Sequence, residues 1–191
     1  AQARKWGDLD QSDMPRVELP RVEESDKVKW FTKEELQRVF DAAFEESTDL
    51  YAFVKMSYYT AARRRSIQDI SAEQINLKDG TITLQPEGGR VTKKRRPVVP
   101  LYAEIRPLVE RLLMDRPRGR LFTSDFYVPF KRVCEAVGLE GHPHMLRHSR
   151  ASHLLQDGAD IWKVARLLGD TVATVERVYA HCLPEHLMTE S

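Results

Sequence analysis

The chain has 191 residues, 41% of them hydrophobic and 31% charged, which suits one folded domain with a substantial core. No run approaches the roughly 18 apolar residues of a membrane span, and the opening AQARKWGDLDQ lacks the apolar stretch of a secretory signal. With 30 basic against 29 acidic residues the net charge is +1, so a site for a polyanion must come from local clustering, and two cysteines, Cys134 and Cys182, are too few for a disulfide framework or a four-sulfur zinc site, which points to a reducing cytoplasm.

Residues 1–29 mix both charges with Pro15 and Pro20 and show no sustained apolar period, so an extended linker or arm is expected there, with the folded domain over 30–191. Thr32 and Glu35 form a capping-box pair, with Phe31 and Leu36 at the flanking hydrophobic-staple positions. Leu36, Val39, Phe40, Ala43 and Phe44 then recur at helical spacing, and a second helix is expected over 50–60.

The pattern next turns to strands. Ile75 and Leu77, then Ile82 and Leu84, flank Asp79-Gly80, a two-residue hairpin signal. A second turn around Gly88-Gly89 leads to Val98-Val99, and Pro100 ends a small antiparallel sheet of three strands. Helical patterns resume over 102–114, 125–137, 145–156, 160–168 and 171–180, with Gly158 and Gly169 placed as C-caps. No internal repeat is present. The expected fold class is α+β, mostly α-helical with a small three-stranded antiparallel sheet.

Three basic clusters stand out: Arg63-Arg64-Arg65 behind Tyr58-Tyr59-Thr60, the acid-free stretch 90–96 with Lys93, Lys94, Arg95 and Arg96, and the group His142, His144, Arg147, His148 and Arg150. Alone, the first two read as solvated faces. His144 and His148 at helical i, i+4 spacing would ligate zinc only with a third ligand from Cys134, Cys182 or His181, so a metal site is disfavoured. Tyr179 alone reads as a packing residue. Together they read differently. Two distant arginines, a nearby histidine, a lysine in a turn and a late tyrosine suit metal-free phosphoryl transfer, because guanidinium forks bind phosphate oxygens and stabilise the charge that gathers on them.

In these residues the chain resembles the catalytic domain of the tyrosine recombinases, the phage-integrase family. Thr60-Ala61-Ala62-Arg63 corresponds to the family's T-G-x-R, and His144-Met145-Leu146-Arg147-His148 matches its H-x-L-R-H. Leu168-Gly169-Asp170 stands where the family has L-G-H, with Tyr179 nine residues further on. The hairpin lysine precedes a V-P-L strand end; Val99-Pro100-Leu101 fits, with Lys93 the best match and Lys94 the second.

The resemblance implies a metal- and cofactor-independent site-specific recombinase or integrase, of phage or mobile-element type, acting in the bacterial cytoplasm at the nucleoid. It implies that Tyr179 cleaves duplex DNA through a 3′-phosphotyrosyl intermediate, with Arg63 and Arg147 clamping the phosphate. His144 would take or hold the tyrosine's proton and Lys93 would protonate the leaving oxygen. Arg64, Arg65, Lys94, Arg95, Arg96 and His148 would touch DNA or support the site. The implied partners are double-stranded attachment sites and, for a full-length protein, a homotetramer on DNA. The clamping domain usual in the family does not fit in 29 residues, so this chain alone is expected to be a monomer that binds DNA weakly, and Leu183, Leu187 and Met188 of its tail either dock on a neighbour or fold back.

Departures from the family pattern are Ala61 for glycine, Ser66 for an acid and Asp170 for histidine or tryptophan. Asp170 occupies one of the catalytic positions, but an ionised aspartate only accepts hydrogen bonds and would repel phosphate, so a helix N-cap or an orienting acceptor for an arginine is favoured over a direct phosphate contact, with weakened activity a further reading. Two rivals remain open: a type IB topoisomerase, and a decayed integrase retained as a DNA-binding module.

Overall fold

A computed structural model of the chain describes residues 28–84 and 97–182. All but the last two residues of the expected linker at 1–29, the turn with Lys93, Lys94, Arg95 and Arg96, and the tail with Leu183, Leu187 and Met188 lie outside the described residues.

Helix α1 spans Lys33–Glu46, and both halves of its capping box form: the Glu35 amide donates to Thr32 Oγ1 at 3.1 Å and the Thr32 amide to Glu35 Oε2 at 2.9 Å. Leu36, Val39, Phe40 and Ala43 make its buried face, but Phe44 does not join them; it is 61% exposed and its ring meets Tyr51 edge-on. Helix α2, Thr48–Thr60, starts two residues before the expected position because Ser47 Oγ accepts the Leu50 amide. It runs through the centre of the domain with Leu50, Phe53, Val54 and Met56 fully buried.

After α2 comes a one-turn helix, α3 (Arg64–Gln68), which the sequence pattern did not announce. The sheet then forms with β1 (Ile75–Asn76), β2 (Thr81–Thr83) and β3 (Val98–Pro100) antiparallel in the order β1-β2-β3. Ile82 lies opposite Ile75 on one side and Val99 on the other, so the core-facing row is apolar. Leu77, expected in the first strand, belongs to the turn and is 36% exposed.

Helix α4 (Arg106–Asp115) begins four residues later than the apolar spacing suggested, since Tyr102 O accepts the Ile105 and Arg106 amides in a preceding turn. Then follow α5 (Tyr127–Ala136), α6 (His144–Gln156), α7 (Ile161–Leu168) and α8 (Val172–Tyr179), which continues into a short 3-10 turn at Ala180–Cys182. Gly158 and Gly169 end α6 and α7 in the left-handed region, at φ 81° and 64°. The expected fold class is therefore met: eight helices and one three-stranded antiparallel sheet among the described residues.

The core is in two parts. The larger joins α1, α2, α4, α5 and the sheet to the first half of α6. The smaller holds Ala61, Ala151, Leu155, Val164, Leu168, Val175 and Tyr179, and so packs α6, α7 and α8 against the end of α2. Of the expected site residues, Tyr179 is part of this second cluster. No described helix is long and apolar enough to cross a membrane.

Candidate active site

The chain leaves α2 through a tight bend. Thr60 Oγ1 donates to Met56 O at 2.6 Å and accepts the Ala62 amide at 3.3 Å, while Ala61 takes φ 50°, ψ 25°. This bend delivers Arg63 to the start of α3, with its side chain one-third exposed.

Arg147 comes from the first turn of α6 and is only 5% exposed. Its Nη1 donates to Ala61 O at 2.7 Å and its Nη2 to Leu168 O at 2.9 Å, so one guanidinium satisfies carbonyls left open at the ends of α2 and α7. Nη2 also bonds Asp170 Oδ2, and Arg63 Nη2 donates to Asp170 Oδ1 at 3.2 Å. A single carboxylate thus bridges two arginines that stand 84 residues apart.

The N-cap reading of Asp170 is corrected by this geometry. Thr171 caps α8, its Oγ1 accepting the Thr174 amide at 3.2 Å, and Gly169 turns the Asp170 carboxylate back toward the arginines. The orienting-acceptor reading matches the contacts observed.

Tyr179 ends α8 and is 4% exposed, and its Oη lies 2.7 Å from His148 Nδ1. The family resemblance implies His144 for this role, but the contact observed is made by His148. His144 is the first residue of α6 and is exposed, whereas His148 lies one turn deeper and faces α8; the two rings meet edge-on at 4.5 Å. Helical spacing puts both imidazoles on one face, and the packing of α8 selects the inner one.

Burial, aided by the neighbouring His144 and Arg147 charges, pushes His148 down to about 4, so the ring is neutral at pH 7. A neutral ring carrying its proton on Nε2 accepts the phenol proton at Nδ1. Burial also pushes Tyr179 up to about 12, against the pull of Arg147. Partial desolvation and the Arg147 charge hold His144 below its ordinary value as well. Burial and the like charge of Arg63 lower Arg147, and Asp170 opposes that shift. The resting site therefore holds a protonated phenol against a neutral imidazole, beside two cations that share one anion.

The remaining predicted residues divide. Arg64 Nη1 donates to both oxygens of Asp125, at 2.8 and 2.9 Å, and its guanidinium lies over the Tyr127 ring, so it is engaged within the protein; Arg65 is exposed. Asp125 was not foreseen, and nothing in its sequence context marks it. The carbonyls of Ala61 and Leu168 were equally hidden, since any residue type supplies one. Among the described residues no group of three or more His, Cys, Asp and Glu side chains is placed to hold a metal ion.

The chain resembles known proteins in both sequence and fold. The sequence profile described as the phage integrase family matches residues 29–186. The chain is 30% identical over 184 residues to the tyrosine recombinase XerA of Thermococcus kodakarensis, covering 90% of this chain and 64% of that protein. It spans about half the length of the XerC relatives it matches, 50% in the case of Pseudomonas savastanoi. Among solved structures it is similar to the catalytic domain of bacteriophage HP1 integrase, with a TM-score of 0.69 and 26% identity, covering 85% of this chain and 92% of that one.

Proposed function

The chain belongs to the phage integrase family of tyrosine recombinases, and from that premise we propose that it is the catalytic domain of a site-specific DNA recombinase which cleaves and rejoins strands through Tyr179. The single observation that carries this reading is the Asp170 bridge. It shows that Arg63 and Arg147 come within reach of one anion while Tyr179 lies against the same helix, α6, hydrogen-bonded to His148.

In the proposed reaction a phosphodiester enters between the two guanidiniums, which donate to its non-bridging oxygens and stabilise the charge that builds there. Tyr179 Oη attacks phosphorus. The new O–P bond forms as the bond to the 5′ oxygen breaks, leaving a 3′-phosphotyrosyl link and a free 5′-hydroxyl. The phenol proton passes to His148 Nδ1, and Lys93 from the 90–96 turn supplies a proton to the leaving oxygen. Because the link conserves the energy of the diester, a second 5′-hydroxyl can reverse the step without ATP. No step in this scheme calls for a metal or nucleotide cofactor.

Arg65, Lys94, Arg95 and Arg96 are assigned to backbone phosphates, where they add affinity and salt dependence but little sequence readout. We extend the reading to a linker before residue 30, assembly on paired duplex attachment sites as a homotetramer of the full-length protein, and action on nucleoid DNA of a bacterial host carrying a phage or mobile element.

The test is a nicked suicide substrate, from which the short 5′ piece escapes and traps the adduct. The chain should become covalently joined to DNA, and Tyr179→Phe should abolish the product while keeping the circular-dichroism spectrum. Absence of adduct from a folded protein on its own attachment site, in the full-length context, would leave DNA binding without cleavage.

A further inference from the structure

Three acceptors surround the Arg147 guanidinium: Ala61 O, Leu168 O and the Asp170 carboxylate. Two of them are backbone atoms at helix ends and cannot leave without unwinding α2 or α7. Asp170 is different. Its carboxylate sits on a side chain 30% exposed, just beyond the left-handed Gly169, and its other oxygen holds Arg63, which is itself one-third exposed. A small cavity of about 10 Å³, with Arg63, Ser66 and Arg147 among its lining residues, lies beside the two arginines.

Arginine carries five N–H donors, of which Arg147 spends three on these acceptors. A diester clamped by both arginines needs the donors that point at the shared centre, and those are the ones Asp170 holds. Carboxylate and phosphate are both acceptor-only anions there, so they compete for the same N–H groups and repel each other at contact distance.

We propose that Asp170 is a resident counter-anion: it positions Arg63 and Arg147 around one point in the free protein, and an incoming phosphodiester must displace it from at least one of them. This deepens the recombinase reading and rests on it for the ligand's identity, though not for the competition itself. Asp170 acts through the arginines and is a positioning residue. Its replacement by a neutral isostere leaves two uncompensated cations side by side, which weakens the free fold and strengthens anion binding.

The experiment compares the chain with Asp170→Asn, using inorganic phosphate as the first probe and the nicked suicide duplex as the second. Asp170→Asn is expected to melt lower without phosphate, to bind phosphate about 10-fold more tightly by thermal shift, and to form adduct several-fold faster at sub-saturating DNA. A merely structural role predicts the lower melting temperature but no gain in phosphate affinity. Unchanged or weaker phosphate binding, with adduct formation slowed, would overturn the proposal. If phosphate affinity rises but neither protein forms adduct, the counter-anion stands and the recombinase reading fails. Should Asp170→Asn not fold, the unsubstituted chain still decides the question through the NMR shift of the Asp170 carboxyl carbon: it moves on phosphate addition if the carboxylate is displaced and stays if it is not.

Discussion

His148 Nδ1 and Tyr179 Oη share a 2.7 Å hydrogen bond across 31 residues of chain. With the imidazole held down at about 4 and the phenol up at about 12, the proton rests on the tyrosine and its transfer in the free protein is strongly uphill. An arriving phosphate changes this balance, because its negative charge favours an imidazolium nearby. His148→Ala should therefore slow adduct formation on the order of 100-fold, the usual loss on removing a general base, and His144→Ala should cost less. Single-turnover cleavage of the suicide substrate by each variant measures the order. A larger loss at His144 would mean that the tyrosine changes partners when DNA binds.

Stability should fall on both sides of neutrality. His153 is buried and His148 half-buried, and desolvation lowers both, so below about pH 6.5 the unfolded chain takes up protons that the native one refuses. The contribution is complete above that pH and is lost progressively down to about 4, where His148 protonates in the native state as well. At about 1.4 kcal/mol per unit, His148 alone accounts for up to about 3 kcal/mol. Cys134 and Tyr179 work at the other end: burial pushes the thiol from its ordinary 9 and the phenol from its ordinary 10 up to about 12, so stability declines from about pH 9 upward. Urea midpoints from pH 4.5 to 10.5 should trace a plateau between about 6.5 and 9; a flat profile between 4.5 and 6.5 would contradict a neutral, half-buried His148.

The two arginines should separate by stability. Arg147 is buried and joins α2, α6 and α7 through two carbonyls and a carboxylate, and a lysine, with one point donor in place of the planar fork, cannot satisfy all three. Arg147→Lys should cost about 3 kcal/mol, typical for breaking a buried charge network. Arg63→Lys, at a partly exposed pair, should cost less than about 1 kcal/mol. Both should lose most adduct formation. Chemical denaturation alongside cleavage distinguishes them, and equal stability losses would show that Arg147 does not tie the helix ends together.

Much of this was legible in the chain because the signals are local. The Thr32–Glu35 box starts α1, Asp79-Gly80 turns β1 into β2, and Gly158 and Gly169 stop their helices where expected. What failed was non-local or too short to carry a period. α3 is a single turn, and the apolar Leu101 and Ile105 imitate a helix that begins only at Arg106. The choice of His148 over His144 depends on how Val175 and Tyr179 seat α8 against Ala151 and Leu155, which no spacing within α6 encodes. The acceptors of Arg147 at Ala61 and Leu168 are main-chain atoms, invisible to any residue-type reading.

Ala61 is the one described non-glycine residue at positive φ, and it lies where the family motif has glycine. Left-handed backbone costs an L-residue roughly 1–2 kcal/mol. Against this, the Ala61 methyl is fully buried in the second core cluster, and a buried methyl contributes about 0.8 kcal/mol. Glycine would also loosen the unfolded chain by about 0.4–1 kcal/mol. These terms nearly cancel, so Ala61→Gly should shift stability by less than about 1 kcal/mol and leave cleavage unchanged. Ala61→Val is another matter. A β-branched side chain resists positive φ, and its extra bulk meets a packed seam, so a loss of about 3 kcal/mol or more is expected. The Ala61 carbonyl would swing away from Arg147 Nη1, now 2.7 Å distant, and cleavage should fall with it. Urea denaturation of both variants is the measurement; if valine is tolerated as well as glycine, this bend is not what holds Arg147 in place.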